Sequence, residues 1–295
     1  QVGGSIGNWL GKLAHLDEFD HHVMIMCGMS AAFAAVFGTP MAAAVFAMEV
    51  VSVGVMYYAA LLPCVIAAII AAEFATGMGI DPETFPVHSI PGLTVETGLK
   101  MTLIAVGCGI LSILFCILLK TVGQLYAKYL KNPYIRIAVA AGVIILITIC
   151  LNTKDYMGAG SGLIARAIEK GEARPLDFLW KMLLTALTMR AGYRGGEIVP
   201  AFSIGATFGC VAGGILGFSP ELAAAASMVA LFCGVTNCPI TAMLISFELF
   251  GFSGAAYYLI AISISYAVSG YYSLYKDQTI VYSKYKARYI NRKTR

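Results

Sequence analysis

Long uncharged stretches constrain this chain more than any other feature of its sequence. Asp, Glu, Lys and Arg are absent from six segments: Val50–Ala72, Met101–Leu119, Ile137–Thr153, Ile198–Pro220, Leu222–Phe247 and Leu249–Tyr275. Only 12% of the residues are charged, whereas soluble domains average about 25%. A spanning helix needs about 20 apolar residues, with a range near 17–25. Met101–Leu119 lies in this range, and Tyr57–Ala72 and Ile137–Leu151, near its lower end, are also expected to span. We therefore expect an all-α, polytopic integral membrane protein.

The distribution of charge and of cysteine excludes several other classes. The net charge of +4 over 295 residues is too small for a nucleic-acid-binding surface, so no nucleic acid partner is expected. Seven basic residues lie in Lys276–Arg295 against a single acid, which predicts a short cytoplasmic tail over about 276–295. Most of the eight cysteines lie in apolar runs, without a Cys-x-x-Cys pair, so neither a metal site nor a cofactor is predicted.

Several apolar runs are interrupted by helix-breaking residues. Met24–Met48 contains Gly38-Thr39-Pro40, and Ala230–Leu249 contains Asn237-Cys238-Pro239. A third run, Pro200–Leu216, begins at a proline and is expected to be cut by Gly205, Gly209, Gly213 and Gly214. Breaks at membrane depth are tolerated where the backbone is buried in protein or lines a polar cavity. Half-helices that begin there direct partly positive N-termini at that cavity. The pattern favours transport of an anion.

Two of the broken segments resemble each other. Val36–Val50 and Val235–Leu249 share Val, Pro, Ala and Glu at identical offsets, and each follows a Gly-rich segment. Repeated broken helices in two halves of a chain are typical of transporters with an inverted repeat. The repeat also aligns Glu49 with Glu248. Acids in apolar runs are candidates for function, but we favour a structural pair hydrogen-bonded to neighbouring loops over a gating role.

Glu197 is the acid with the strongest functional pattern. Gly195 and Gly196 precede it and permit an unusual turn, and Pro200 is expected at the first position of a helix. Backbone amides near residues 197–199 would then face a cavity. A carboxylate beside a bound anion is favoured in its protonated form, as a proton-coupled carrier requires. An ion pair of Glu197 with Arg190 or Arg194 is an equally weighted alternative.

These motifs together resemble the CLC family of chloride channels and anion/proton exchangers. The matching segments are Gln1–Gly7, Gly28–Val51, Gly158–Gly162, Gly196–Pro200 and Tyr282-Ser283, the last of which is similar to the tyrosine-bearing start of the family's final helix. The resemblance implies a homodimer whose subunits are inverted repeats of tilted, broken helices, each with its own anion pore. It implies one transmembrane domain over residues 1–295 that lacks its N-terminal part, including the gating glutamate. Such a fragment is not expected to transport anything alone.

The resemblance also implies site residues. The anion, chloride or fluoride, would be held by backbone amides at Glu197, Ile198 and Val199 and by the hydroxyl of Tyr282, with protons as the coupled partner.

Two positions depart from the common pattern of the family. Ile198 replaces a Phe, and Val50 stands where chloride/proton exchangers carry an internal glutamate. Glu197 is similar to a feature of the bacterial fluoride-exporting branch, although that branch has Thr at the position of Val199. A channel, a chloride/proton antiporter and a fluoride/proton exporter of a bacterial plasma membrane therefore all remain open. An intramembrane enzyme is a remote alternative that would need Ser161 as its nucleophile, and no enzymatic activity is expected.

Overall fold

The computed structural model describes residues 1–80, 82, 84–286 and 288–294, and its order of elements is mostly helical. The first helices are α1 (Val2–Leu13), α2 (Glu18–Phe37), α3 (Pro40–Glu49), α4 (Leu61–Gly77), α5 (Val95–Tyr129) and α6 (Pro133–Leu151). They are followed by α7 (Ser161–Glu169), α8 (Asp177–Ala191), α9 (Ile198–Ile215), α10 (Pro220–Thr236), α11 (Pro239–Phe250) and α12 (Ala255–Val268). The described residues also form three strands, β1 (Ser52–Val53), β2 (Thr279–Tyr282) and β3 (Tyr289–Lys293).

Five helical segments of the described residues are long and apolar enough to cross a membrane. They are Glu18–Phe37, Tyr58–Gly77, Val95–Tyr129, Pro133–Leu151 and Ile198–Ile215. Each of the three spans predicted from the uncharged runs overlaps one of these segments. The described residues also form four shorter apolar helices of 10–17 residues, α3, α10, α11 and α12, at or below the lower end of the usual length of a spanning helix.

The chain divides into two compact units. The first contains residues 1–86, 236–255 and 275–295, and the second contains residues 87–235 and 256–274. The first unit holds α1 to α4, α11 and the three strands. The second holds α5 to α9 and nearly all of α10 and α12. The prediction of a single transmembrane domain stays a prediction.

The structure contains the two predicted breaks of the first unit. Gly38 ends α2 with a left-handed φ of 66°, and α3 begins at Pro40. Asn237 has a φ of 60°, and α11 begins at Pro239. Proline suits the first position of a helix because its missing N–H would have no partner there. Both breaks therefore follow from local sequence.

The break predicted inside α9 is wrong. This helix runs without interruption from Ile198 to Ile215. Its glycines serve helix contact instead, because a Cβ on Gly205 or Gly209 would lie 2.5 Å from the Ser227 carbonyl oxygen or 2.2 Å from that of Ala223. The small residues thus let α9 and α10 approach closely.

The predicted helix start at Pro200 is also wrong. Glu197 is the N-cap residue, which makes Pro200 the third helical residue. The first amides of a helix have no intrahelical partner, so a proline is tolerated within that turn.

A small sheet at the end of the chain was not predicted. β1 pairs with β2 in parallel, with Ser52 opposite Thr279, and β2 pairs with β3 antiparallel, with Tyr282 opposite Tyr289. The expectation that Tyr282 begins a helix is therefore wrong. Thr279–Tyr282 is rich in β-branched and aromatic residues, which favour a strand.

Candidate functional site

The starts of α3 and α11 are closed by carboxylates from each other's helix. Glu248 on α11 accepts hydrogen bonds from the amides of Met41 and Ala42, both at 2.9 Å. Glu49 on α3 accepts from the amides of Ile240 and Thr241 at 3.1 and 2.8 Å. Each carboxylate stands at the C-terminal end of its own helix, so α3 and α11 run antiparallel.

These bonds satisfy helix-start amides that have no partner within their own helix. Glu49 is 6% exposed, and it also accepts a bond of 2.6 Å from the Thr241 hydroxyl. Both carboxylates thus accept hydrogen bonds that hold α3 and α11 together, as expected for a structural pair. The alternative of a gating role stays untested.

A buried amide network lies beside the break before α11, and the sequence analysis missed it. The Gln278 side chain donates to the carbonyls of Val50 and Thr236 at 2.8 and 2.7 Å. It accepts from the Asn237 side chain at 3.0 Å, and Lys284 donates to the side-chain oxygen Oδ1 of Asn237. Val50 is the C-cap of α3, whose last carbonyls need donors. Gln278 lies in a polar segment 228 residues from Val50, and no local signal marks this contact.

The start of α9 differs from those of α3 and α11. Among the described residues, the amides of Ile198 and Val199 have no hydrogen-bond partner, and the side chain of the N-cap residue Glu197 makes no capping bond. Residues 197–199 are half-buried. The α9 start therefore presents two open amides together with the positive end of the helix dipole.

Glu197 pairs with Arg190 rather than capping α9. Nη2 of Arg190 lies 3.1 Å from Oε1 of Glu197, and both side chains are partly buried. Arg190 belongs to the last turn of α8, which ends at Gly192 with a φ of 115°. Of the glycines in this turn, Gly192 has the left-handed backbone, whereas Gly195 and Gly196 do not, and an unusual turn at those two residues stays a prediction. Glycine adopts such a φ without strain. The chain can therefore turn sharply after α8, and Glu197 comes back within reach of Arg190.

A buried lysine lies under the Gly-rich loop between α6 and α7. Lys181 on α8 is 1% exposed, and its ammonium donates to the carbonyls of Gly158 and Tyr156 at 2.7 and 3.2 Å. The Ser203 hydroxyl on α9 lies 3.1 Å from the Gly160 carbonyl oxygen. The loop is thus held from both α8 and α9. A lysine within an apolar helix is a signal that the sequence analysis passed over.

A second polar cluster lies one turn earlier on α8. The buried Asp177 accepts from the Tyr156 hydroxyl at 2.6 Å and from Arg166 at 3.2 Å. It also accepts from the backbone amide of Arg174 at 3.0 Å. Burial and the hydrogen bond to Asp177 raise the pKa of Tyr156 to about 12. The phenol thus stays a donor, and Asp177 is fully engaged in holding the loop.

The fourth predicted anion ligand, Tyr282, belongs to the first unit. It is the last residue of β2, it is 48% exposed, and its ring meets that of Tyr289 edge to face at 5.8 Å. Its role in binding an anion stays a prediction.

Residues 1–270 match the family described as voltage gated chloride channel. The chain belongs to this family. The resemblance inferred from the motifs is thereby confirmed. This CLC family membership also agrees with the broken helices and the helical fold described above.

Two proteins of known sequence illustrate the relationship. A chloride/fluoride channel protein of Pseudomonas syringae pv. tomato is 32% identical over 97% of this chain and 64% of its own length. An H(+)/Cl(-) exchange transporter of Vibrio cholerae is 27% identical over 84% of this chain and 56% of its own length. The chain thus spans about three fifths of these relatives.

Solved structures confirm the fold. A CLC-type fluoride/proton antiporter superimposes with a TM-score of 0.89 at 32% identity, over 94% of this chain and 70% of that one. A slow cyanobacterial Cl-/H+ antiporter gives a TM-score of 0.74 at 18% identity, over 91% and 66%. The prediction of a polytopic helical protein with CLC-like broken helices is confirmed.

Proposed function

We propose that this chain carries the anion pathway of a proton-coupled antiporter for a small inorganic anion, with fluoride as the transported ion. The proposal depends on one observation, the contrast between three helix starts. Those of α3 and α11 are closed by Glu248 and Glu49. The start of α9 leaves the amides of Ile198 and Val199 open, and open amides at a helix N-terminus are suited to bind an anion.

Glu197 and Arg190 supply the coupling in this proposal. As an ion pair at 3.1 Å, they are together neutral and leave the α9 start attractive to an anion. An anion that enters beside Glu197 adds a negative charge next to the carboxylate, and this favours uptake of a proton there. Arg190 then balances the anion. Anion and proton occupancy would rise and fall together at this position.

The choice of fluoride over chloride is supported by the relatives. The Pseudomonas protein at 32% identity is named for both ions, and the superimposed antiporter at the same identity is named for fluoride and protons. The chain has a Glu at position 197 and no acid at position 50. Chloride is the second candidate, because the Vibrio transporter is named for chloride.

The assembly and orientation belong to the same proposal. We infer a homodimer in a bacterial plasma membrane, with the basic segment from Lys276 onward in the cytoplasm. The excess of basic residues in this segment supports that orientation.

The test is ion efflux from liposomes that contain the full gene product. Fluoride and chloride electrodes measure anion release, and a pH electrode measures proton uptake in the same vesicles. We expect fluoride efflux coupled to proton uptake, and the Glu197→Gln variant should lose proton movement. Glu169→Gln changes an exposed acid of the second unit and serves as the matched control. Chloride efflux with little fluoride efflux would favour the second candidate, and proton coupling that survives Glu197→Gln would contradict the role of Glu197.

A further inference from the structure

Lys181 is a buried cation that the proposed transport function does not use. Its side chain is among the largest fully buried ones of the described residues. Among the described residues, its hydrogen-bond partners are two backbone carbonyls, those of Gly158 and Tyr156. The nearby Asp177 is engaged by Arg166 and Tyr156 instead. Burying an ammonium on neutral partners is costly, so a role for this charge is expected.

The loop that Lys181 holds is also in contact with the first turns of α9. The Ser203 hydroxyl lies 3.1 Å from the Gly160 carbonyl oxygen and 3.3 Å from that of Ala159. The same hydroxyl lies 3.1 Å from the carbonyl of Val199. The single hydrogen of this hydroxyl is thus shared between carbonyls of the loop and the carbonyl of Val199, a residue whose amide is open.

Gly160 shows how closely α8, the loop and α9 approach one another. A Cβ at this position would lie 2.5 Å from the Ser203 hydroxyl, 2.9 Å from Cε of Lys181 and 3.0 Å from its Nζ. The φ of Gly160 is 95°, which a side chain rarely tolerates. Gly160 is therefore packed tightly between Lys181 and Ser203.

We propose that Lys181 is a positioning residue for the anion site: by holding the carbonyls of Tyr156 and Gly158, it fixes the loop against Ser203 and so sets the position of the α9 start. This inference rests on the proposed function. Lys181 acts through the loop and Ser203 and does not bind the anion. Its ammonium is suited to this because it can donate several hydrogen bonds at once, here to the carbonyls of two residues of the loop.

The first test compares anion transport by Lys181→Met with that of the unaltered full gene product. Met keeps the length of the side chain and removes its donors. Because small displacements of a binding site have large effects, the KM for the anion should rise on the order of tenfold, with a smaller change in the maximal rate. A structural role alone would lower the amount of folded protein and leave the KM and the fluoride-to-chloride ratio unchanged. That second result would overturn the proposal.

The second test does not depend on transport. Hydrogen exchange is followed by mass spectrometry on a peptide that covers the first turns of α9. Exchange at Ala201–Ser203, whose amides bond back to residues 197–199 in the helix, should be faster in Lys181→Met, and exchange in α5 should be unchanged. Unchanged exchange at Ala201–Ser203 would overturn the proposal. If the unaltered protein moves no anion, the proposed function fails while this measurement still decides the role of Lys181.

Two further variants cover the case in which Lys181→Met does not fold. Ser203→Ala removes the contact on the α9 side, and Gly160→Ala pushes Lys181 and Ser203 apart. Both should raise the anion KM and the exchange at the α9 start. Gly162→Ala is the control, because a Cβ there meets nothing within 4 Å. If Ser203→Ala, Gly160→Ala and Gly162→Ala have the same anion KM and the same exchange at the α9 start, the proposal is overturned.

Discussion

Glu49 and Glu248 close the starts of each other's helices. The two residues are 199 positions apart, and so are the amide pairs they accept from, Met41 and Ala42 on α3 and Ile240 and Thr241 on α11. The internal repeat of the sequence is thus a repeat of contacts. Each half of the repeat supplies the carboxylate that accepts from the helix-start amides of the other half.

Removal of either carboxylate should destabilise the first unit. Hydrogen bonds to a charged group contribute about 1.5–3 kcal/mol, so Glu49→Ala and Glu248→Ala should each lower the free energy of unfolding by roughly 2–3 kcal/mol. Glu49→Ala should cost more because Glu49 also accepts from the Thr241 hydroxyl. Thermal unfolding in detergent measures the effect. The exposed Glu73→Ala on α4 is the control, and losses equal to that of the control would contradict the reciprocal capping.

The hydroxyl of Thr241 is where the two halves of the repeat differ, since Ala42 occupies the matching position. Thr241→Val keeps the shape and removes the donor to Glu49, and we expect a loss of about 1–2 kcal/mol in unfolding free energy. Ser246→Ala is the comparison on the same helix, because that hydroxyl bonds to the Met243 carbonyl of α11 itself. Thr241→Val should lower the unfolding temperature more than Ser246→Ala does. A larger loss for Ser246→Ala would argue against the contribution of Thr241.

Gln278→Glu should make stability depend on pH. The Gln278 amide donates both of its hydrogens to the carbonyls of Val50 and Thr236, whereas a carboxylate would oppose them. The introduced carboxyl is tolerated best when protonated, so the variant should be most stable below about pH 4, near the ordinary range of a glutamic acid. Its stability should fall as the pH rises, with a loss of about 2–3 kcal/mol at neutral pH. Melting curves at several pH values measure this. The exposed Gln124→Glu should show no such trend, and a flat profile for Gln278→Glu would contradict the network.

The ion pair of Arg190 and Glu197 should appear in a double-mutant cycle. Arg190→Gln leaves a partly buried carboxylate without its partner, so it should destabilise the second unit more than the double variant Arg190→Gln with Glu197→Gln does. We expect a coupling of about 1–2 kcal/mol, within the range found for residues in contact. Thermal unfolding of the four proteins measures it. Additive effects would show that the pair contributes no energy. The proton-coupling proposal would then be contradicted, because it starts from a formed ion pair of Arg190 and Glu197.

The glycines of α9 should differ sharply in their tolerance of alanine. A Cβ at Gly209 would lie 2.2 Å from the Ala223 carbonyl oxygen, so Gly209→Ala should cost about 1–3 kcal/mol by overpacking. A Cβ at Gly214 meets nothing within 4 Å, and Gly214→Ala should stabilise the helix by roughly 0.5–1 kcal/mol. Unfolding curves of the two variants should therefore move in opposite directions. Equal shifts would contradict the close contact of α9 with α10.

Some features of this protein follow from the order of its residues alone. The uncharged runs predict the spanning helices because charge is costly in lipid, and Gly38-Thr39-Pro40 and Asn237-Cys238-Pro239 predict the breaks because proline cannot donate an amide hydrogen bond. The repeat and the motifs identify the family. These signals are local, or they compare one local pattern with another.

Other features were decided only by tertiary structure. The glycines of α9 were expected to break the helix, but they allow contact with α10, since packing overrides local propensity. Tyr282 lies on a strand because β1 and β3 pair with its segment. Gln278, Lys181 and the exchange of carboxylates between α3 and α11 depend on residues far apart in sequence. A buried polar group takes whichever partner the fold brings near it, and no local pattern records which residue that will be.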